Sequence, residues 1–175
     1  MNHQLFLFIN SFAGRNHFLD SIMVFCASYL VYLVFVIMVA FVAYSIYKKQ
    51  WKPFIYFFAT LVVGFLLLQL VALINFDHRP FMDYHVTQLV AHAAGSSFPS
   101  DHTTVVTAIA AGFLFFTRFK KLGALLLIMA LVIGFARVFV GIHYPADIAG
   151  GIVTGLLGGS IVLVAKYFID KPTRV

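Results

Sequence analysis

Residues 22–47 read IMVFCASYLVYLVFVIMVAFVAYSIY, 26 positions without a single Asp, Glu, Lys or Arg. A bilayer's hydrocarbon core is roughly 30 Å thick and takes about 20 apolar helical residues to cross. Backbone in lipid must satisfy its own hydrogen bonds, so a stretch of this kind reads as a helix. Four more stretches follow the same pattern: residues 53–76, 100–117, 122–140 and 148–169. The two middle ones, 100–117 and 122–140, are short, which places their polar ends close to the membrane surfaces. Residues 4–12 are apolar but too few to cross, and read as a short interfacial helix. The expected fold is all-α: a polytopic membrane helix bundle of five transmembrane helices plus the N-terminal interfacial helix.

Composition agrees. Of 175 residues, 62% are hydrophobic and 10% charged, against about 45–50% and about 25% in a soluble domain. Mean hydropathy is +0.99. These values exclude a water-soluble globule, a disordered tail and a coiled coil. One domain over residues 1–175 is expected. The single cysteine, Cys26, excludes an internal disulfide. The opening residues have neither a basic start nor a small-residue cleavage site, so no removed leader is expected.

The net charge of +6 does not point to nucleic acid, because the charges sit in short clusters between apolar runs. Lys48, Lys49 and Lys52 follow the first span, Arg118, Lys120 and Lys121 the third, and Lys166, Lys171 and Arg174 close the chain: nine of twelve basic residues on one side. The positive-inside tendency makes that side cytoplasmic. Arg15, Arg79, Arg137 and all seven histidines fall on the other. Ionisable groups at span ends are costly, and so mark a functional site.

Three segments on the sparse side carry chemistry. The first is Phe76-Asp77-His78-Arg79-Pro80-Phe81, the second Phe98-Pro99-Ser100-Asp101-His102-Thr103, and the third runs from Arg137 through His143 to Asp147. Two arginines can fork onto the oxygens of one phosphate with a geometry lysine does not match. Ser100 suits the N-cap of the third span and Pro145 the first turn of the fifth. Each helix start then offers unpaired N–H groups to an anion. His143 and Asp147 are four apart at a helix start and share a face. A carboxylate on one imidazole nitrogen leaves the other free to attack phosphorus, and His102 can donate a proton to the leaving oxygen. This set works without a metal or a cofactor, and neither is expected.

In order and spacing these segments resemble the signature motifs of the type-2 phosphatidic acid phosphatase superfamily of membrane lipid phosphatases, over residues 72–147. Those motifs read Lys-x6-Arg-Pro, Pro-Ser-Gly-His and Ser-Arg-x5-His-x3-Asp. The resemblance implies that His143 is the nucleophile, His102 the general acid and Asp147 the residue orienting His143. It implies that Arg79, Arg137 and Ser100 hold phosphate. Three positions depart from the pattern. Ala72 stands where the family has lysine, Asp101 where it has glycine, and Ala136 where it has serine. His78 is the candidate to compensate in part for the missing lysine. Asp101 is expected to orient an arginine or His78.

Small size and Pro-Ser-Asp-His resemble the bacitracin-resistance branch of that superfamily, the bacterial undecaprenyl-diphosphate phosphatases. The implied substrate is a polyprenyl diphosphate lipid, cleaved to the monophosphate on the extracytoplasmic face of the cytoplasmic membrane. This would recycle the carrier for cell-wall synthesis. Phosphatidylglycerophosphate or phosphatidic acid is the alternative substrate, and a lipid-phosphate transporter or flippase the non-enzymatic alternative.

Two further features have plainer readings. His78, His85 and His92 recur every seven residues, and the last two would share a face if residues 84–94 were helical. Without a Cys or carboxylate cluster this is expected to be the polar stripe of an interfacial helix, or a lid, rather than a zinc site. Gly150, Gly151, Gly155, Gly158 and Gly159 let helices approach closely in lipid. Packing within the chain is the simplest use of them, and a homodimer seam the alternative.

Overall fold

The computed structural model describes residues 1–74 and 77–171. Phe76 of the first segment and Arg174 of the basic tail therefore lie outside the described residues. Among the described residues there are eight helices: α1 (Asn2–Asn10), α2 (His17–Ser28), α3 (Leu30–Tyr47), α4 (Trp51–Ile74), α5 (Pro80–Asp83), α6 (Asp101–Phe116), α7 (Lys120–Phe139) and α8 (Pro145–Ile169). No strand occurs among the described residues, only an isolated bridge between His78 and Ser96.

Among the described residues four helical stretches are long and apolar enough to cross a membrane: His17–Tyr47, Trp51–Ile74, Lys120–Phe139 and Pro145–Ile169. The expected third span is a shorter apolar helix of 16 residues, about 24 Å long at 1.5 Å per residue. The first apolar stretch starts earlier than composition suggested. Asn16 caps α2 by accepting hydrogen bonds from the N–H groups of Phe18 and Leu19, which draws the polar His17 and Asp20 into the first turn. The stretch is also broken in two at Tyr29.

The bundle is built around α6, which packs on α4, α7 and α8. Buried positions recur at helical spacing on each neighbour: Phe57, Thr60, Gly64 and Leu68 on α4, and Leu126, Ala130, Ile133 and Arg137 on α7. Lipid removes most of the hydrophobic drive between helices, so close contact of small residues must hold them together. The α8 glycines provide it. A Cβ on Gly155 would lie 2.7 Å from the Thr107 Cβ and 2.8 Å from the Ala108 N, and one on Gly151 would lie 2.9 Å from the Ser100 carbonyl oxygen. Gly158 similarly abuts Gly64 of α4. These glycines are thus used inside the chain, and they bring the start of α6 against the start of α8.

The basic clusters gather at one end of the bundle. Lys52 and Lys166 both pair with Asp170, and Arg118 donates to the Tyr44 hydroxyl. The other end holds His143. There α1 docks on α7 and α8, with Phe6 fully buried and edge-on to Tyr144.

Residues 84–94 are not helical, so the shared face expected for His85 and His92 does not exist. The segment instead lies across the end of α7 as extended chain. Leu89 N–H donates to the Val140 carbonyl. Buried Asn10 donates to the carbonyls of Thr87 and Phe139 at 2.8 Å each and accepts from the Thr87 N–H at 3.0 Å. Gly141 completes the fit. Its φ of +88° suits glycine, and a Cβ there would meet the Thr87 carbonyl oxygen at 2.7 Å.

Candidate active site

Pro145 opens α8 at its first turn, with Tyr144 as N-cap. This puts Asp147 at the third helical position, where one oxygen accepts from the Tyr144 N–H at 2.7 Å. The same Oδ2 lies 3.2 Å from His143 Nδ1 and accepts a short hydrogen bond from Ser97 Oγ. Both His143 and Asp147 are buried to within a few per cent. A buried carboxylate is tolerable when hydrogen-bonded in this way. It also fixes the tautomer, with the proton on Nδ1 and the lone pair on Nε2.

Nε2 faces an arginine. Arg79 Nη1 donates to it at 3.1 Å and to the Ile142 carbonyl at 3.2 Å. Arg137, in the last turn of α7, donates through Nη1 to the Ala27 carbonyl at 3.1 Å. The break at Tyr29 explains that contact, because the last carbonyls of α2 lack helical partners. Through Nη2, Arg137 reaches His92 Nε2 at 3.3 Å.

Both arginines are buried. Among the described residues no carboxylate lies within ion-pairing distance of either, and Nε of each is buried without a hydrogen-bond partner. Uncompensated buried charge is costly, and two such charges side by side form a receptor for an anion. Burial pulls the Arg79 guanidinium below its usual range, while Asp101 and Asp147 pull the other way. Burial also lowers His143 to about 4, against the support of Asp147. The imidazole is therefore neutral at ordinary pH.

His102, in the first turn of α6, is within electrostatic reach of Arg137, His143, His92 and Arg79. It lines a groove of about 280 Å³ with Val31, Tyr32, Phe35, Asp101 and Val105. Phe35 and Val105 are shared with a second, apolar cavity of about 220 Å³ between α3, α4 and α6. Apolar lining thus extends down α6 from His102 through two neighbouring cavities.

Ser100 occupies the N-cap position of α6, but its side chain does not cap. Its hydroxyl accepts from Thr103 Oγ1 at 3.1 Å, and its N–H is taken by the Asp147 carbonyl at 3.0 Å. The hydroxyl proton is the donor it has left. Asp101 is exposed and acts on both arginines through space without pairing. His78 stands apart, half-exposed at 3.1 Å from Asp83. Ala72 lies within α4.

Sequence reasoning missed three site residues. Ser97 bridges Asp147 and His143, His92 enters between Arg137 and His143, and Asn10 fastens the segment that carries His92. His92 alone left a signal, its charge-capable ring, and it was assigned to the wrong local structure.

A model of the PAP2 superfamily matches residues 52–171. The undecaprenyl-diphosphatase BcrC of Bacillus subtilis (strain 168) is 35% identical over 179 residues, covering 100% of this chain and 91% of that protein. The bacitracin transport permease protein BcrC of Bacillus licheniformis is 32% identical over 93% of this chain and 79% of its own length. The crystal structure of Aquifex aeolicus LpxE superposes with a TM-score of 0.73 at 25% identity, covering 93% of this chain and 94% of that one. With the family model matched over more than half of its length, the chain belongs to the PAP2 superfamily and is a multi-pass membrane lipid phosphatase.

Proposed function

We propose that the protein hydrolyses undecaprenyl diphosphate to undecaprenyl phosphate and inorganic phosphate through a phosphohistidine, at the extracytoplasmic face of a bacterial cytoplasmic membrane. The observation that carries this reading is the arrangement at His143. Its Nδ1 faces Asp147 at 3.2 Å, and its Nε2 faces buried Arg79 at 3.1 Å.

The terminal phosphate takes Arg79 and Arg137 from their resting partners, which unmasks Nε2. The Nε2 lone pair then forms a bond to the terminal phosphorus. The bond from phosphorus to the bridging oxygen breaks, and the lipid monophosphate leaves with its electrons. His102, protonated in the complex, donates to that oxygen and is left neutral. In the second half a water attacks the phosphorus and loses a proton to neutral His102, the phosphorus–Nε2 bond breaks with its electrons returning to the ring, and inorganic phosphate departs. Asp147 accepts from Nδ1–H throughout and stabilises the ring as positive charge develops on it. The two guanidinium groups meet the charge on the phosphoryl oxygens as they spread in the transition state.

Lipid specificity is supported by the apolar lining beginning at His102 and Val105, which suits a hydrocarbon tail, and by the name of the Bacillus subtilis relative. The short α6 is read as the third of five crossings, with α2–α3, α4, α7 and α8 as the others and α1 as the interfacial helix. The basic end then faces the cytoplasm by the positive-inside tendency.

The name of the Bacillus licheniformis relative keeps a second reading, carriage of lipid phosphates without cleavage. Phosphate release separates the two. Purified protein with chelator present is assayed on undecaprenyl diphosphate, phosphatidylglycerophosphate and phosphatidic acid. Release of phosphate, fastest from the diphosphate and abolished by His143→Ala, is expected. Binding without release would overturn the enzymatic reading, and faster release from another lipid would overturn the substrate.

A further inference from the structure

The segment over the site contributes a ring that the hydrolysis described above does not use. His92 Nε2 is 3.3 Å from Arg137 Nη2, and the His92 ring stands edge-on to that of His143 with centroids 6.4 Å apart. Arginine can only donate, so Nε2 accepts and the proton is on Nδ1. That tautomer is consistent with the other contact, Nδ1 to the Ala93 carbonyl at 3.1 Å. His92 is thus held as a neutral stand-in acceptor on an arginine that pairs with no carboxylate among the described residues.

We propose that His92 is a phosphate-binding residue of this site, donating from protonated Nε2 to the terminal phosphate of a lipid diphosphate once Arg137 has turned to that phosphate. The proposal rests on the phosphatase reading above. The charged and titratable groups facing His92 are Arg79, Arg137 and Asp101, together with His102 and His143. In the free protein burial above all, and then Arg79 and Arg137, pull the ring below the usual imidazole range, while the Ala93 carbonyl and Asp101 pull the other way. A bound phosphate dianion reverses that balance. It occupies both guanidinium groups, and Nε2, released from Arg137, takes a proton from water and turns it on a phosphoryl oxygen. The site thereby gains a third cationic donor although position 72 is alanine. His78, bonded to Asp83 at the rim, is the poorer candidate.

The geometry also explains why the segment is fastened so firmly. Asn10 fixes Thr87 to Phe139, and Leu89 N–H bonds the Val140 carbonyl. The backbone is thus anchored a few residues before His92, next to the turn leading to His143.

The test is competitive inhibition of lipid diphosphate hydrolysis by inorganic phosphate, measured on full-length wild type, His92→Ala, His92→Gln and His92→Lys. A hydrogen bond between charged partners supports a weakening of roughly tenfold or more on its loss. His92→Ala is expected to raise the inhibition constant and KM by that factor while kcat changes only a few-fold. His92→Lys, which restores a cation but cannot accept from Arg137, is expected to recover most of the affinity. His92→Gln, which can accept but carries no charge, is expected to recover little. If His92→Ala leaves the inhibition constant unchanged, or if Gln restores it and Lys does not, His92 only props Arg137 and the proposal fails. Should His92→Ala unfold, the Lys and Gln variants decide alone. Failure of the underlying phosphatase reading looks different: wild type itself would release no phosphate.

Discussion

Arg79 Nη1 rests 3.1 Å from His143 Nε2, so a guanidinium covers the ring nitrogen that Asp147 leaves free. In the unliganded protein the lone pair meant for phosphorus is therefore masked by one of the groups meant for its oxygens. Binding and activation become one event, because a phosphate that draws Arg79 away also exposes Nε2.

This relationship fixes the pH behaviour. His143 is lowered to about 4, first by burial and also by Arg137 and Arg79. Its neutral form, the competent one, persists well below the ordinary imidazole value. The acid limb of kcat/KM that belongs to His143, a property of the free enzyme, is expected near pH 4. Arg79→Gln removes a positive neighbour and should move that limb upward while raising KM at least tenfold. The same depression links to stability. The folded state favours neutral His143, so its contribution is complete above about 6.5 and is lost as pH falls toward about 4. Histidine-selective NMR titration of wild type and Arg79→Gln checks the direction, and a downward shift in the variant would contradict it.

Ser97 and Asp147 should separate by size of effect. Asp147→Asn replaces the acceptor for Nδ1–H with a group that can present N–H, which permits the wrong tautomer. A loss of kcat of roughly a thousandfold or more is expected, by analogy with other His–Asp pairs. Ser97→Ala removes one of three donors to Asp147 Oδ2 and leaves the pair in place, so kcat should fall only about tenfold with KM little changed. Steady-state kinetics of both variants on one lipid diphosphate decides. An equal loss would mean that Ser97 does more than hold the carboxylate.

The opposed glycines carry the distance between the two histidines. A Cβ at Gly155 would press on the backbone of Thr104 and Ala108 as well as the Thr107 side chain, all under 3.0 Å. Gly155→Ala must therefore force α8 from α6. A drop in Tm of several degrees is expected, with kcat falling because His102 moves with α6 while His143 moves with α8. Gly95, whose added Cβ would meet nothing within 4 Å, is a poor control because its φ is +150°. Ser160→Ala on the exposed side of α8 serves instead. Equal Tm for Gly155→Ala and wild type would contradict the packing account.

Much of this was legible in the chain. Charge-free runs fixed the helical, membrane-embedded class, because lipid leaves few alternatives. The contact between His143 and Asp147 could be expected from their spacing beside Pro145, although His143 precedes the N-cap Tyr144 and is not itself helical. Residues 84–100 resisted reading. Extended chain lacking helical periodicity takes its course from partners elsewhere, here Asn10 and Val140. Seven-residue spacing therefore misassigned His85 and His92 to a helix. Ser97 was hidden for the same reason: what matters is its contact with Asp147, fifty positions on. One of the partners of Arg137, a carbonyl at Ala27, has no side-chain signature at all.

His102 bears on the leaving group. A lipid monophosphate departs with far less protonation than an alkoxide does, so the general acid matters less for a diphosphate than for a monophosphate ester. His102→Ala is expected to reduce kcat on undecaprenyl diphosphate by about tenfold and on phosphatidic acid by about a hundredfold or more. Single-turnover rates on both lipids test this, and equal losses would remove His102 from that role.

The most direct measurement is to stop the reaction on undecaprenyl diphosphate in alkali, where a phosphorus–nitrogen bond survives, and map the protein by mass spectrometry. A phosphoryl group on His143 in wild type, increased in a variant slow in the second half-reaction and absent from His143→Ala, is the predicted result. Phosphate release at the wild-type rate by His143→Ala, or a phosphoryl group on another residue, would contradict the account.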